Sequence, residues 1–71
     1  MKIIYTDHSK ERILERKILS SDIKKAINSP TSVLLSYSPT QKIQKIIKGK
    51  TLEVIFKQKG QTIIIITAYY L

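Results

Sequence analysis

The chain contains no cysteine and no tryptophan, and only one histidine, one methionine and one phenylalanine among its 71 residues. Without cysteine it has neither a disulfide staple nor a thiolate metal ligand, so a domain this small must be held by apolar packing alone. One histidine and five scattered carboxylates argue against a dedicated metal site, and no cofactor is expected. Two glycines and two prolines leave little room for linkers, and there is no internal repeat or low-complexity tract. No apolar stretch approaches the roughly 20 residues of a membrane span; the longest, Ile63-Ile64-Ile65-Ile66, has four. The N-terminal stretch Met1-Lys2-Ile3-Ile4-Tyr5-Thr6-Asp7 turns polar too soon for a signal peptide. These absences together point to a cytoplasmic domain with no membrane contact.

Isoleucine and lysine dominate what is present. Hydrophobic residues make up 42% of the chain, ample for a compact core, and the net charge is +8. A surplus of that size favours polyanionic partners, nucleic acid above all, or an acidic protein. The surplus is concentrated: Lys42, Lys45, Lys48, Lys50, Lys57 and Lys59 face Glu53 alone across residues 41–60. Individually these lysines suit a solvated or edge-protecting surface. Collectively they favour phosphate contact.

The order of elements follows from periodicity. Lys2–Tyr5 is short and apolar, the length of an edge strand. Thr6 or Asp7 can cap a helix from His8 to about Lys17, whose large apolar residues are Ile13 and Leu14 alone; Ser9 or the arginine stems must complete its inner face. Ser20-Ser21-Asp22 is a second capping sequence, and Ile23, Ala26 and Ile27 recur at helical spacing before Asn28-Ser29-Pro30 stops the run. After Pro30 the pattern changes to strands over Thr31–Tyr37, Lys42–Lys48, Thr51–Lys57 and Thr62–Tyr70, with turns at Ser38-Pro39-Thr40-Gln41, Gly49-Lys50 and Gln58-Lys59-Gly60-Gln61. Leu52, Val54 and Phe56 alternate with Thr51, Glu53 and Lys57, the mark of a half-buried strand. Four consecutive isoleucines suit a central strand covered on both faces. The expected fold is α+β: two helices on one face of a four-stranded antiparallel sheet, with an extra N-terminal edge strand if Lys2–Tyr5 joins it.

One constellation carries chemistry. His8, Arg12, Glu15 and Arg16 fall within roughly 100° of arc on an ideal helix, so an imidazole, two guanidiniums and a carboxylate share one face. Histidine is the side chain type that titrates near neutrality, and arginine holds phosphate bidentately. The same spacing also serves a solvated face in which Glu11 and Glu15 pair with Arg12 and Arg16.

Two helices followed by a four-stranded meander in a short basic chain resemble the RelE-type toxin fold, within the barnase–colicin–RelE group of metal-independent ribonucleases. The chain is similar to an uncharacterised bacterial and archaeal domain family whose pattern opens on His8, Arg12 and Glu15-Arg16-Lys17-Ile18. That pattern continues through Asp22-Ile23, Ala26-Ile27 and Ser29-Pro30. It ends on Gly49, Leu52 and Val54 and a terminal Ile66-Thr67-Ala68-Tyr69 strand. The pattern also resembles that of BrnT-type toxins, which share the N-terminal histidine and arginine that stand here as His8 and Arg12. Two departures stand out: Arg16-Lys17 replaces a frequent Arg-Gly, and the chain ends Tyr69-Tyr70-Leu71 where RelE toxins carry basic residues.

The resemblance implies a metal-independent RNA endonuclease, the toxin of a toxin–antitoxin pair with an acidic antitoxin, acting on RNA alone or at the ribosome. It further implies that His8, Arg12, Thr67 and Tyr69 converge on the sheet face as catalytic residues. Arg16, Lys42, Lys45, Lys48, Lys50 and Lys57 are the candidate RNA-binding cations. The reaction uses the 2′-hydroxyl as nucleophile and needs a base, an acid and cations for the charge on phosphorus. Two other readings stand beside it: a basic RNA- or DNA-binding module without catalysis, and an interaction domain for an acidic protein.

Overall fold

Thr6 caps the first helix: its hydroxyl oxygen accepts the Ser9 backbone N–H at 3.0 Å, while the Ser9 hydroxyl donates to the Thr6 carbonyl at 2.9 Å. The computed structural model, which describes residues 1–35 and 39–71, places helix α1 over Asp7–Glu15 and helix α2 over Ser20–Asn28. Ser9 is fully buried, so a small polar residue bonded to its own cap completes the inner face that Ile13 begins.

Helix α1 ends earlier than the expected Lys17, in a Schellman turn. The Ile18 N–H reaches back to the Ile13 carbonyl at 3.0 Å and the Lys17 N–H to that of Leu14 at 3.2 Å. Such a turn needs a left-handed residue, and Lys17 adopts φ 54° there. Glycine is favoured at this position because it has no Cβ to crowd the following carbonyl. Lys17→Gly should therefore raise unfolding stability by about 0.5–1 kcal/mol in urea titration; a loss would mean that the lysine stem packs against the fold. Helix α2 begins at Ser20, within the expected Ser20-Ser21-Asp22 cap, so the N-cap position falls one residue earlier. Leu19 is the N-cap and makes no side-chain capping bond, because its side chain has no acceptor; its carbonyl takes the Asp22 and Ile23 N–H groups. Asp22 keeps a favourable place in the first turn.

Five strands follow the expected order: β1 (Lys2–Tyr5), β2 (Ser32–Leu34), β3 (Thr40–Ile47), β4 (Lys50–Lys59) and β5 (Thr62–Tyr70), arranged β1-β5-β4-β3-β2. The four C-terminal strands are antiparallel neighbours, whereas β1 pairs parallel with β5 through Lys2–Thr62 to Tyr5–Ile65, making the sheet mixed. Strand β2 is shorter than the expected Thr31–Tyr37, of which 36 and 37 lie outside the described residues, as does 38 in the expected turn. Thr40 and Gln41 belong to β3 rather than to that turn. Lys48 and Gly49, with φ 51° and 78°, form the two-residue β3–β4 turn; positive φ at both positions identifies it as type I′.

The core lies between the sheet and the two helices: Ile18, Ile23 and Ala26 pack on Ile43, Leu52, Val54, Phe56, Ile63, Ile65 and Ala68. The isoleucine run is thus not covered on both faces. Ile63 and Ile65 are buried beneath the helices, while Ile64 and Ile66 are only half-buried. Pairing steps from Ile55–Thr67 to Phe56–Ile65, so Ile66 is an extra residue in β5, a β-bulge. Beyond it the alternation changes phase, and Ala68 and Tyr70 turn inward where Thr67 and Tyr69 turn to the opposite, open face. Among the described residues no helix is long and apolar enough to cross a membrane.

Candidate nucleic-acid interface

The open face is built by alternate residues of the three central strands, and its centre is acidic. Register places Gln44 of β3, Glu53 of β4 and Tyr69 of β5 side by side across the sheet. Glu53 is only 6% exposed although no helix among the described residues covers this face. Its Oε1 accepts from the Gln44 amide at 2.9 Å and its Oε2 accepts the Tyr69 hydroxyl. A buried carboxylate is tolerable only when its oxygens are satisfied in this way.

The protonation states follow from the same contacts. Burial pushes the Glu53 carboxyl up, but the Tyr69 and Gln44 hydrogen bonds and the nearby Lys42 charge outweigh it and hold the group below its ordinary value. Tyr69 moves the opposite way. The Glu53 hydrogen bond, then burial and the carboxylate charge raise it, against a smaller opposing effect of Arg16. At neutral pH the pair is therefore carboxylate and phenol.

Arg16 completes the cluster from outside the sheet. Strand β1 pairs with β5 only as far as Ile65, so the upper edge of β5 is free of a neighbouring strand. Arg16, the C-cap of α1, reaches over that edge. Its Nη1 donates to the Ala68 carbonyl at 3.0 Å and the Thr67 hydroxyl oxygen at 3.3 Å, and its guanidinium lies 5.8 Å from the centre of the Tyr69 ring. A cation, an aromatic face, a threonine hydroxyl and a buried carboxylate thus meet at one place, with Lys42 and Lys57 on the same face by register. The arrangement can bind a phosphate through Arg16 and stack a splayed base on the tyrosine.

Of the residues whose convergence the resemblance implies, Thr67 and Tyr69 meet here. Arg12 does not reach them: it is turned along the helix to Glu15 at 3.1 Å, the local pairing that its spacing allows. His8 is exposed and makes no hydrogen bond, ion pair or ring contact with the described residues. It lies two turns, roughly 12 Å along the axis, before Arg16, on the helix flank that Arg12 and Arg16 continue. Arg16 occupies the place expected of Arg12.

The candidate RNA-binding lysines divide. Lys45 points to the helix side, where its Nζ donates to the Ser29 carbonyl at 2.8 Å and satisfies the end of α2. Lys48 lies in the β3–β4 turn and Lys50 follows it at the start of β4, 6.0 Å from the ring of Tyr70. Glu53 and Gln44 are the site residues that pattern reading missed. The alternation in β4 assigned Glu53 its face, but its burial depends on partners in two other strands.

A family model described as "Domain of unknown function (DUF4258)" matches residues 5–70. No curated protein and no solved structure matches the chain.

Proposed function

Since the chain belongs to the DUF4258 family, whose description names no activity, we propose from its own geometry that it binds single-stranded RNA across the open sheet face and cleaves it without a metal. The observation that carries this reading is the Arg16–Tyr69–Glu53 cluster: a phosphate-binding cation stacked on a tyrosine whose hydroxyl is held by a buried carboxylate. The net charge of +8 supports a polyanionic ligand. The likeness to RelE-type toxins adds the biological setting, a toxin neutralised by an acidic antitoxin.

In this reading Arg16 holds the scissile phosphate and offsets the charge that builds on it. The 2′-hydroxyl attacks the adjacent phosphorus, its proton passes to a base, and the 5′-oxygen leaves with a proton from an acid. The products are a 2′,3′-cyclic phosphate and a 5′-hydroxyl. Tyr69 orients the reacting groups, with Glu53 fixing its hydroxyl. His8, the chain's one imidazole, is the proton-transfer candidate; standing roughly 12 Å before Arg16 along the α1 axis, it reaches the reacting atoms only when the RNA runs along that flank of the helix.

The test is incubation of the protein with end-labelled RNA in EDTA, with and without ribosomes. Cleavage to cyclic-phosphate ends is expected, and His8→Ala should slow it by roughly 10²-fold or more, the usual effect of losing a general acid or base. A wild-type rate in that variant would remove His8 from the chemistry. One observation favours a second reading, a non-catalytic RNA-binding module: both Glu53 oxygens are engaged and the carboxyl is held below its ordinary value, which weakens it as a base. RNA binding with no cleavage under any of these conditions would select that module.

A further inference from the structure

Two lysines stand where the backbone favours glycine or asparagine. Lys17 fills the left-handed position of the Schellman turn and Lys48 the first position of the type I′ turn, at φ 54° and 51°. They are far apart in sequence, yet both line one cleft of about 260 Å³ between the α1–α2 link and the β3–β4 turn. Lys50 lines it too, beside the ring of Tyr70, and Ile47 forms part of its apolar wall. The single carboxylate in the cleft, Asp22, accepts the Tyr70 hydroxyl at 3.3 Å. Neither the Lys17 nor the Lys48 side chain forms a hydrogen bond or ion pair with any described residue.

Three lysines against one engaged carboxylate leave the lining of the cleft with an excess of positive charge, and two of them sit on backbone that a glycine would relieve. We infer that this cleft is a phosphate subsite, taking a backbone or terminal phosphate of the RNA whose neighbouring nucleotides lie on the open face. This rests on the RNA reading above. The link between the two places is covalent: Arg16 and Lys17 are consecutive, the first reaching over the β5 edge to the Tyr69 cluster and the second lining the cleft. A strand held at Arg16 meets the next cations around the end of β5. Lysine, a compact charge on a flexible stem, suits a phosphate approached from several angles.

The test uses the whole chain and two substitutions that the backbone favours, Lys17→Gly and Lys48→Gly, so that unfolding does not confound the result. Affinity for a labelled single-stranded RNA dodecamer is measured by fluorescence anisotropy across a salt series. The double variant should bind about tenfold more weakly, with a log–log salt slope shallower by about 0.7 for each phosphate that the protein no longer neutralises. Its melting temperature should be unchanged or higher. Lys24→Gln, which removes an exposed charge on α2, should leave affinity nearly unchanged; equal losses from Lys24→Gln and the double variant would overturn the subsite. In a second arm, inorganic phosphate is titrated against matched chloride while backbone amide shifts are followed by NMR. Saturable shifts at Lys17, Lys48 and Lys50 that disappear in the double variant are expected, and their absence would overturn the cleft as a phosphate site. Phosphate shifts in a wild-type protein with no RNA affinity would keep the cleft and overturn the RNA reading.

Discussion

Tyr69→Phe should slow RNA cleavage and also destabilise the domain by about 1.5–3 kcal/mol, the range for a hydrogen bond to a charged group. The phenyl ring still offers its face to Arg16, so RNA binding should fall far less than cleavage. What disappears is the donor to Glu53, whose buried Oε2 then lacks that partner. The pH dependence of stability should change in step. In the wild type Glu53 sits below its ordinary value of 4.5, so its contribution is complete above that range and fades as pH falls through the folded value. Tyr69 sits above its ordinary value of 10.0, so its contribution is complete below that and fades as pH rises through the folded value. Removing the phenol should move the acid limb of a pH–stability curve upward and abolish the alkaline contribution of this pair. Identical acid limbs in the two proteins would show that the tyrosine does not hold the carboxylate in solution. Unchanged cleavage would remove Tyr69 from the chemistry.

The second large effect is in the core. Ile65→Ala should cost about 2–5 kcal/mol, the usual penalty for deleting most of a fully buried isoleucine side chain. Ile65 is fully buried and stands at the junction of three strands, paired with Tyr5 on one side and Phe56 on the other. A domain of this length has roughly 4–10 kcal/mol of stability in total, so the variant should lose at least about 8 °C in Tm and a large part of its folded population at 37 °C. A loss under 1 kcal/mol by urea titration would mean that the surrounding side chains collapse into the space. Ile64→Ala, on the open face, should cost visibly less.

The architecture was legible because each element leaves a local trace. Leu52, Val54 and Phe56 alternate, Pro30 stops a helical stripe, and Gly49 and Gly60 sit at hairpin turns. Other features depend on long-range pairing and leave no such trace. The parallel pairing of β1 with β5 joins the two ends of the chain. Glu53 read as the lone acid on a lysine-rich face; only the register with Gln44 and Tyr69 makes it buried and bonded. The local alternative paired Glu11 and Glu15 with Arg12 and Arg16 as one solvated face, and it could not show that Arg12 alone would take Glu15 while Arg16, at the helix end, turns to the sheet. Lys45 read as one of a set of surface cations, whereas its position opposite Leu52 puts it on the helix side within reach of Ser29.

The bulge at Ile66 has a genetic consequence. The four isoleucines from 63 to 66 are identical, so losing any one of their codons yields the same shorter chain. With three in place, the threonine now at 67 would follow Ile65 directly and still lie opposite Ile55. The alanine would stay opposite Val54 and the next tyrosine opposite Glu53, so such a deletion removes the bend of the bulge and leaves every later residue on its face. A fifth isoleucine codon acts differently. If the strand answers it by resuming plain alternation, the faces are kept but each later partner slips by two residues. Threonine would then stand opposite Glu53, and the tyrosine now at 69 opposite Thr51, leaving the carboxylate without its phenol. The run therefore tolerates contraction by one codon and penalises expansion, an asymmetry that a row of four identical residues does not show.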